Sequence, residues 1–400
     1  MGSRKTGNGV DGAVNAAVNA AVSSTKGRMV GIEILRFFSA FAVLIWHYQH
    51  FFFRPATASI DVVRSAQPLY ALLHPFYDFG WLGVNVFWTI SGFIFFNRYL
   101  SKIVARKVSG GLFFLNRFSR LYPLHIVTLI AVALLQAYYV RENAAFFVYP
   151  YNTPYDFFVN VIFASGWLTP YTDSFNGPVW SVSTEIVIYV AFFLLARFCR
   201  IGLVWTLLLM CASAAAGGWL IHLQIKGSES NIVFCAFYFF MGGAVHLIYE
   251  RLRDMIEQHR RATVVLCCLA YVGLIAFCAV FGGTKYLAAT VIAPVSIVLL
   301  HAIEPWIPER LARPIANLGN TTYSSYLIHF PLQLATVIVL HRMGMSSATL
   351  ALNPWFLAAY LIVVFSLARG VFRAFEAPAQ TFLRRRLAWI GGRSATSAAR

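Results

Sequence analysis

The sequence predicts an all-α fold: a polytopic integral membrane helical bundle of about ten transmembrane helices plus one re-entrant or interfacial segment, with both termini cytoplasmic. Three observations carry this. Of the 400 residues, 59% are hydrophobic and only 12% are charged, where soluble chains hold roughly a quarter charged residues. The apolar residues gather in runs of about 20, the length that crosses a hydrocarbon core. The basic residues between those runs alternate by side, as the positive-inside rule requires.

Residues 1–28 are a polar, Ala/Asn-rich segment with the near-repeat AVNAAVNAAV. Its asparagines interrupt any signal-peptide apolar region, so a disordered cytoplasmic tail is expected, with Met29 as an alternative start. A transmembrane domain at 29–378 follows. Its ten spans lie at about 31–53, 80–98, 121–140, 179–197, 203–222, 232–250, 263–281, 286–303, 322–341 and 355–372. Residues 156–169 are also apolar, but the stretch is short and contains Asp156 and Asn160. If it does not cross and the N-terminus is cytosolic, 25 of the 32 Lys and Arg fall on the cytosolic side, 6 fall opposite, and Arg36 lies within the first span. If it crossed, the basic loops beyond it would change sides and the asymmetry would collapse. It is therefore read as re-entrant or interfacial, and 379–400 as a basic cytoplasmic tail.

The net charge of +17 thus reflects membrane topology, and no nucleic-acid partner is expected. The six cysteines lie in or beside apolar runs without zinc-type spacing, so they read as packing residues and no metal site is expected.

Several polar residues stand where lipid should exclude them. In the first span Glu33 and Arg36 are three apart and can pair on one helix face. Arg36 and His47 are eleven apart, about three turns, so both lie on one stripe roughly 16 Å apart along the axis. Taken singly, Arg36 also suits snorkelling to the interface and His47 a neighbouring helix's hydrogen bond; His50 reads as interfacial. In the second span Gly80, Gly83 and Gly92 permit close helix approach, and Asn85, Thr89 and Ser91 can hydrogen-bond between helices. Arg117 and Arg120, on one turn before the third span, suit a phosphate-bearing ligand or ordinary inner-leaflet charge. Glu185, one to two turns into the fourth span, needs a partner. Arg36 and His47 are the candidates, in a structural ion pair or as a carboxylate orienting a basic histidine. Tyr326 and His329 precede Pro331 in the ninth span, where ligand-binding and interfacial roles both fit.

In order along the chain, these segments resemble the membrane-bound acyltransferase family 3, which O-acetylates bacterial surface and secreted glycans. The resemblance runs from about residue 29 to 380. Its most specific element is Arg-x10-His, matched by Arg36 and His47. Around it stand Ser91-Gly92-Phe93, the Arg-x-x-Arg of Arg117 and Arg120, Trp180 with Glu185, the late Thr322…Tyr326-Leu327-x-His329-x-Pro331 element, and Glu376 with Pro378. Glu33 stands where many members have Asp, Thr322 where Ser is common, and Asn85 near where many carry Asp.

The resemblance implies a bacterial inner-membrane enzyme without a permanently bound cofactor, using acyl-CoA, most often acetyl-CoA, as co-substrate. The implied acceptor is a glycan or lipid-linked saccharide: exopolysaccharide, lipopolysaccharide O-chain, or a lipo-oligosaccharide such as a Nod-type factor. Membrane lipids are the other partners. Catalytic roles are expected for His47 as general base, a histidine's ordinary pKa of about 6.5 suiting that task, for Glu185 as its orienting partner, and for Arg36 in stabilising negative charge. Donor binding is expected of Arg117, Arg120, Arg36, Tyr326 and His329. No fused esterase-like domain is expected. A transporter or flippase of a lipid-linked saccharide would also place polar groups across ten spans, although no internal repeat is visible. An acyltransferase with a small-molecule acceptor is the remaining alternative.

Overall fold

The computed structural model describes residues 29–169, 173–225, 227–281 and 285–386. Ten helices are long and apolar enough to cross a membrane: α1 (Val30–Phe52), α2 (Tyr70–Val104), α3 (Gly110–Asn143), α4 (Gly177–Cys199), α5 (Leu203–His222), α6 (Ser228–Gln258), α7 (Arg260–Phe281), α8 (Leu287–Trp306), α9 (Thr322–Arg342) and α10 (Pro354–Arg386). Among the described residues the strands are confined to a two-residue antiparallel pair, Phe53–Arg54 with Ser59–Ile60. A backbone that closes its hydrogen bonds within each helix is what a hydrocarbon solvent demands, so the chain is a multi-pass membrane protein with the ten spans expected of it. The tail at 1–28 and residues 387–400 lie outside the described residues. Helix α10 runs on to Arg386, so Arg384–Arg386 are its last turn and the boundary read at 378 falls inside a helix.

The stretch at 156–169 does not cross. Its helix, Pro154–Val161, has 8 residues, about 12 Å of rise. Asp156, which makes the stretch look unlike a span, closes a capping box: its carboxylate accepts from the Thr153 backbone N–H at 3.0 Å, and Thr153 Oγ1 accepts from the Asp156 N–H at 3.2 Å. Asn160 then donates to Ser174 Oγ at 2.7 Å, while its carbonyl accepts from His125 Nε2 at 2.8 Å, folding the segment back against α3.

Outward, the bundle is apolar. Leu266, Leu269, Val272 and Ile275 on α7 are 59–68% exposed, a row of large side chains suited to acyl chains and costly in water. Inward, two clusters of buried side chains divide the core. Helix α1 runs through both: Ile32, Leu35 and Val43 belong to the first, and Leu44, Ile45 and Tyr48 to the second. His47 therefore sits just past the join.

The second-span glycines are contact points, as their spacing suggests. A Cβ on Gly92 would overlap the Phe239 carbonyl, and one on Gly242 the Thr89 carbonyl, so α2 and α6 touch backbone to backbone. Gly83 lies equally close to α1, where a Cβ would come within 2.6 Å of the Ser39 carbonyl oxygen. One element was not legible beforehand. The amphipathic helix Glu309–Asn320 lies between α8 and α9 and packs on the start of α1, with Gly319 against the Glu33 side chain.

Candidate active site

A cavity of ≈ 390 Å³ lies at the basic end of the bundle, among α1, α2, α3, α4, α9 and α10. Five arginines (Arg36, Arg98, Arg117, Arg120 and Arg384) and three glutamates (Glu33, Glu185 and Glu376) line it, leaving a positive balance. Arg36 is engaged: its Nη1 donates to Glu33 Oε2 at 2.9 Å, one turn back on α1, and the two side chains are 12% and 16% exposed. Glu376 accepts from Ser324 Oγ at 2.5 Å, tying α10 to α9.

Arg117 and Arg120 are held differently. Arg117 Nη2 donates to Tyr99 OH at 2.9 Å, and its guanidinium lies 4.7 Å above the Phe95 ring, a cation–π contact that fixes direction without neutralising charge. Arg120 faces the like charges of Arg36 and Arg117 as well as Glu33 and Glu376. Among the described residues neither Arg117 nor Arg120 has a carboxylate within ion-pair distance. Glu185 stands beside the Ser91 and Tyr189 hydroxyls, themselves 3.1 Å apart, and faces Arg117 and Arg120. Two guanidiniums on one helical turn, neither in an ion pair, can receive an anion, and phosphate oxygens match their fork geometry.

The second group of polar side chains lies deeper. His47 ends the regular α-helical part of α1 and is 7% exposed; its Nδ1 is 3.2 Å from Nε2 of His329, which is wholly buried. His329 Nδ1 is 2.6 Å from the carbonyl oxygen of Tyr326. One turn further along α9, Gln333 donates from Nε2 to the His47 carbonyl at 2.9 Å, and its Oε1 lies 3.1 Å from His50 Nδ1. Among the described residues no set of three or more His, Cys, Asp or Glu side chains is placed to hold a metal.

Tyr326 joins the two regions. It lines the cavity, and its carbonyl meets His329. Its hydroxyl donates to the Pro178 carbonyl at 2.8 Å and lies 2.8 Å from Ser181 Oγ at the start of α4. The sequence accounts for this docking. Pro331 has no N–H, so the Leu327 carbonyl four residues earlier has no helical donor. Asn176 Nδ2, just ahead of α4, donates to that carbonyl at 2.9 Å.

The cavity thus collects Arg36, Arg117, Arg120, Glu185 and Tyr326, while His47 and His329 pair outside it. Three expectations change. Glu185 is not the partner of His47: α4 directs it to Ser91, Tyr189 and the two arginines. His329 is neither interfacial nor among the cavity-lining residues, because the second turn of α9 is deep in the core. His50 is not interfacial either; it is 3% exposed and bonded to Gln333. Gln333 was missed, although Tyr326, His329 and Gln333 at i, i+3 and i+7 share one helix face, a polar stripe readable in the sequence.

A family model described as an acyltransferase domain matches residues 29–370. The acyltransferase MdmB of Streptomyces mycarofaciens is 30% identical over 178 residues, covering 43% of this chain and 40% of that protein. The peptidoglycan O-acetyltransferase OatA of Listeria monocytogenes is 22% identical over 366 residues, covering 81% and 56%. Protein 2 in the picA locus of Rhizobium radiobacter is 30% identical over 125 residues, covering 27% and 62%. In these alignments the chain spans 40%, 56% and 62% of the three relatives' own lengths. No solved structure matches the chain. With the match running from Met29, just ahead of α1, into α10, and the Arg36, Arg117–Arg120, Tyr326 and His47–His329 elements all within it, the chain belongs to the membrane-bound acyltransferase family 3.

Proposed function

We propose that this chain is a bacterial inner-membrane O-acyltransferase that moves an acyl group, most simply acetyl, from cytosolic acyl-CoA to a hydroxyl of a surface or secreted carbohydrate. The observation that carries the reading is the pair Arg117 and Arg120, neither ion-paired among the described residues, in a cavity lined by Tyr326, whose carbonyl meets His329 and through it His47. The basic end of the bundle is then cytosolic, with both chain ends on that side. The carbohydrate acceptor draws support from the relative named as a peptidoglycan O-acetyltransferase.

In this reading Arg117 and Arg120 hold the CoA phosphates. Arg36 to His47 is about 16 Å along the α1 axis. The pantetheine arm has about twelve bonds between phosphate oxygen and sulfur, which at roughly 3.5 Å per three bonds extends to about 14 Å. The extended arm is thus about 2 Å short of the Arg36–His47 separation, so the phosphates must sit inside the cavity, beyond the level of Arg36, for the thioester to reach the histidine beside Tyr326. There the acceptor hydroxyl oxygen attacks the thioester carbonyl carbon as His47 takes the hydroxyl proton. The carbon–sulfur bond then breaks, and the same proton passes to the sulfur, giving ester and free CoA thiol.

The experiment compares a deletion strain complemented with wild-type or H47Q protein, reading alkali-releasable acetate per unit of surface carbohydrate by mass spectrometry. Restoration by the wild type alone, at equal protein levels, is expected. Equal acetate in all three strains refutes the reading.

A further inference from the structure

The contacts around His47 determine which of its two nitrogens can act as a base. A carbonyl oxygen only accepts hydrogen bonds, so His329 Nδ1, 2.6 Å from the Tyr326 carbonyl, must carry a hydrogen. A neutral His329 then has its lone pair on Nε2. The atom facing that lone pair at 3.2 Å is His47 Nδ1, which must donate. His47 is left with a hydrogen on Nδ1 and its lone pair on Nε2.

We infer that His329 is the positioning residue for His47, holding it as the Nδ1–H tautomer so that Nε2 is the nitrogen that accepts the acceptor's proton. This rests on the acyl-transfer reading and replaces the carboxylate expected from Glu185 with a neutral imidazole. Two further contacts support it. Gln333 donates to the His47 carbonyl, and that donation turns its own oxygen toward His50 Nδ1, so α9 grips the end of α1 through both residues. The imidazole rings of His47 and His329 lie 4.9 Å apart with planes at 31°, close enough to restrict ring rotation.

The consequence is chemical. When Nε2 takes a proton, Nδ1 is already a donor to His329, so protonation needs no tautomer exchange and no ring flip. The chain from Nδ1 ends on the Tyr326 carbonyl, which cannot take up a proton and pass it on. The proton accepted at Nε2 must return by the same nitrogen, to the departing thiolate.

The test substitutes His329 with Gln, Asn and Leu in the full-length protein. A glutamine oxygen can occupy the place of Nε2 and accept from His47; asparagine reaches only the place of Nδ1; leucine offers no acceptor. H329Q is expected to keep acetate transfer within about threefold of wild type. H329N and H329L are expected to lose about 10²-fold or more, the scale of general-base contributions. All three should bind CoA, used as the probe in lipid nanodiscs, as wild type does. Nitrogen-15 spectra of histidine-labelled protein in lipid, with the His47 signals identified by their loss in H47Q, should show Nδ1 protonated and Nε2 bare. Activity retained in H329L, or lost equally in folded, CoA-binding H329Q, overturns the assignment, as does a protonated Nε2 in neutral His47. The spectra need no turnover, so they report on His329 even if the strain comparison rejects acyl transfer.

Discussion

Removing the guanidinium of Arg120 isolates the anion site from the stability of the fold. Arg120 has no carboxylate within ion-pair distance among the described residues, and Arg36 and Arg117 are the like charges nearest it. R120Q therefore breaks no ion pair; it relieves repulsion from Arg36 and Arg117 and gives up a longer-range attraction to Glu376, Glu33 and Glu185. If Arg120 bonds a CoA phosphate, the loss is that of a hydrogen bond to a charged group, about 1.5–3 kcal/mol. At about 1.4 kcal/mol per tenfold in Kd, CoA should bind roughly 10- to 100-fold more weakly. The assay is calorimetric titration of purified protein in nanodiscs with CoA and, separately, with pantetheine, which lacks the phosphates. Only the CoA affinity should fall, and the melting temperature should change little, because the repulsion relieved and the attraction lost oppose each other. An unchanged CoA affinity, or an equal loss for pantetheine, refutes the assignment of the cavity's arginines to phosphate.

Other outcomes follow from the same contacts. R36M should melt below R120Q, because it strands Glu33 in a mostly buried position; E33Q/R36M should recover much of that stability, read by thermal shift. G92A should cost about 1–3 kcal/mol or more, since the new methyl overlaps the Phe239 carbonyl, whereas G111A meets nothing within 4 Å and should be neutral or slightly stabilising; monodispersity after detergent extraction separates them. Y326F keeps the ring but loses the hydroxyl's bonds to Pro178 and Ser181, and should lower acetate transfer more than CoA affinity; a purely binding defect would argue against a role for Tyr326 beyond donor binding.

The spans were legible because their signal is summed over about 20 residues and because Lys and Arg placement adds an independent constraint. The same constraint rejected 156–169, and the capping box at Thr153–Asp156 supplies the local reason. The Glu33–Arg36 pair was legible because both members sit on one helix, where spacing fixes distance. Pairings between helices were not. Glu185 could have met Arg36 or His47, and only the rotation of α4 about its axis, set by Asn176 and Pro178 against α9, sends it to Arg117 and Arg120. His329 misled for a related reason. Counting residues from the start of α9 puts it one to two turns from that end, yet α9 is buried from its first turn onward. An amphipathic helix such as Glu309–Asn320, lying outside the apolar runs, leaves no trace in a reading built on hydropathy.

The separation of the arginine cavity from the histidine pair has a physical rationale in the acyl-transfer reading. Burying an anion is expensive unless it is paired and hydrated, so a phosphate-rich donor is best held where five arginines meet the aqueous face. The thioester and its arm carry no charge and can cross into the apolar core, past Tyr326, without that penalty. At His47 only one proton and one transient thiolate need to be accommodated, and a neutral His329 adds no fixed charge to a buried site. Had a carboxylate oriented His47, the core would hold a permanent anion between turnovers. By sending Glu185 to the arginines, the fold leaves His47 in a nearly neutral surrounding. A glutamate introduced in place of His329 should therefore fail where glutamine succeeds. H329E is expected to lower both acetate transfer and melting temperature relative to H329Q, at the same CoA affinity. An active, stable H329E would show that the core tolerates a carboxylate beside His47, and that its absence there needs another explanation.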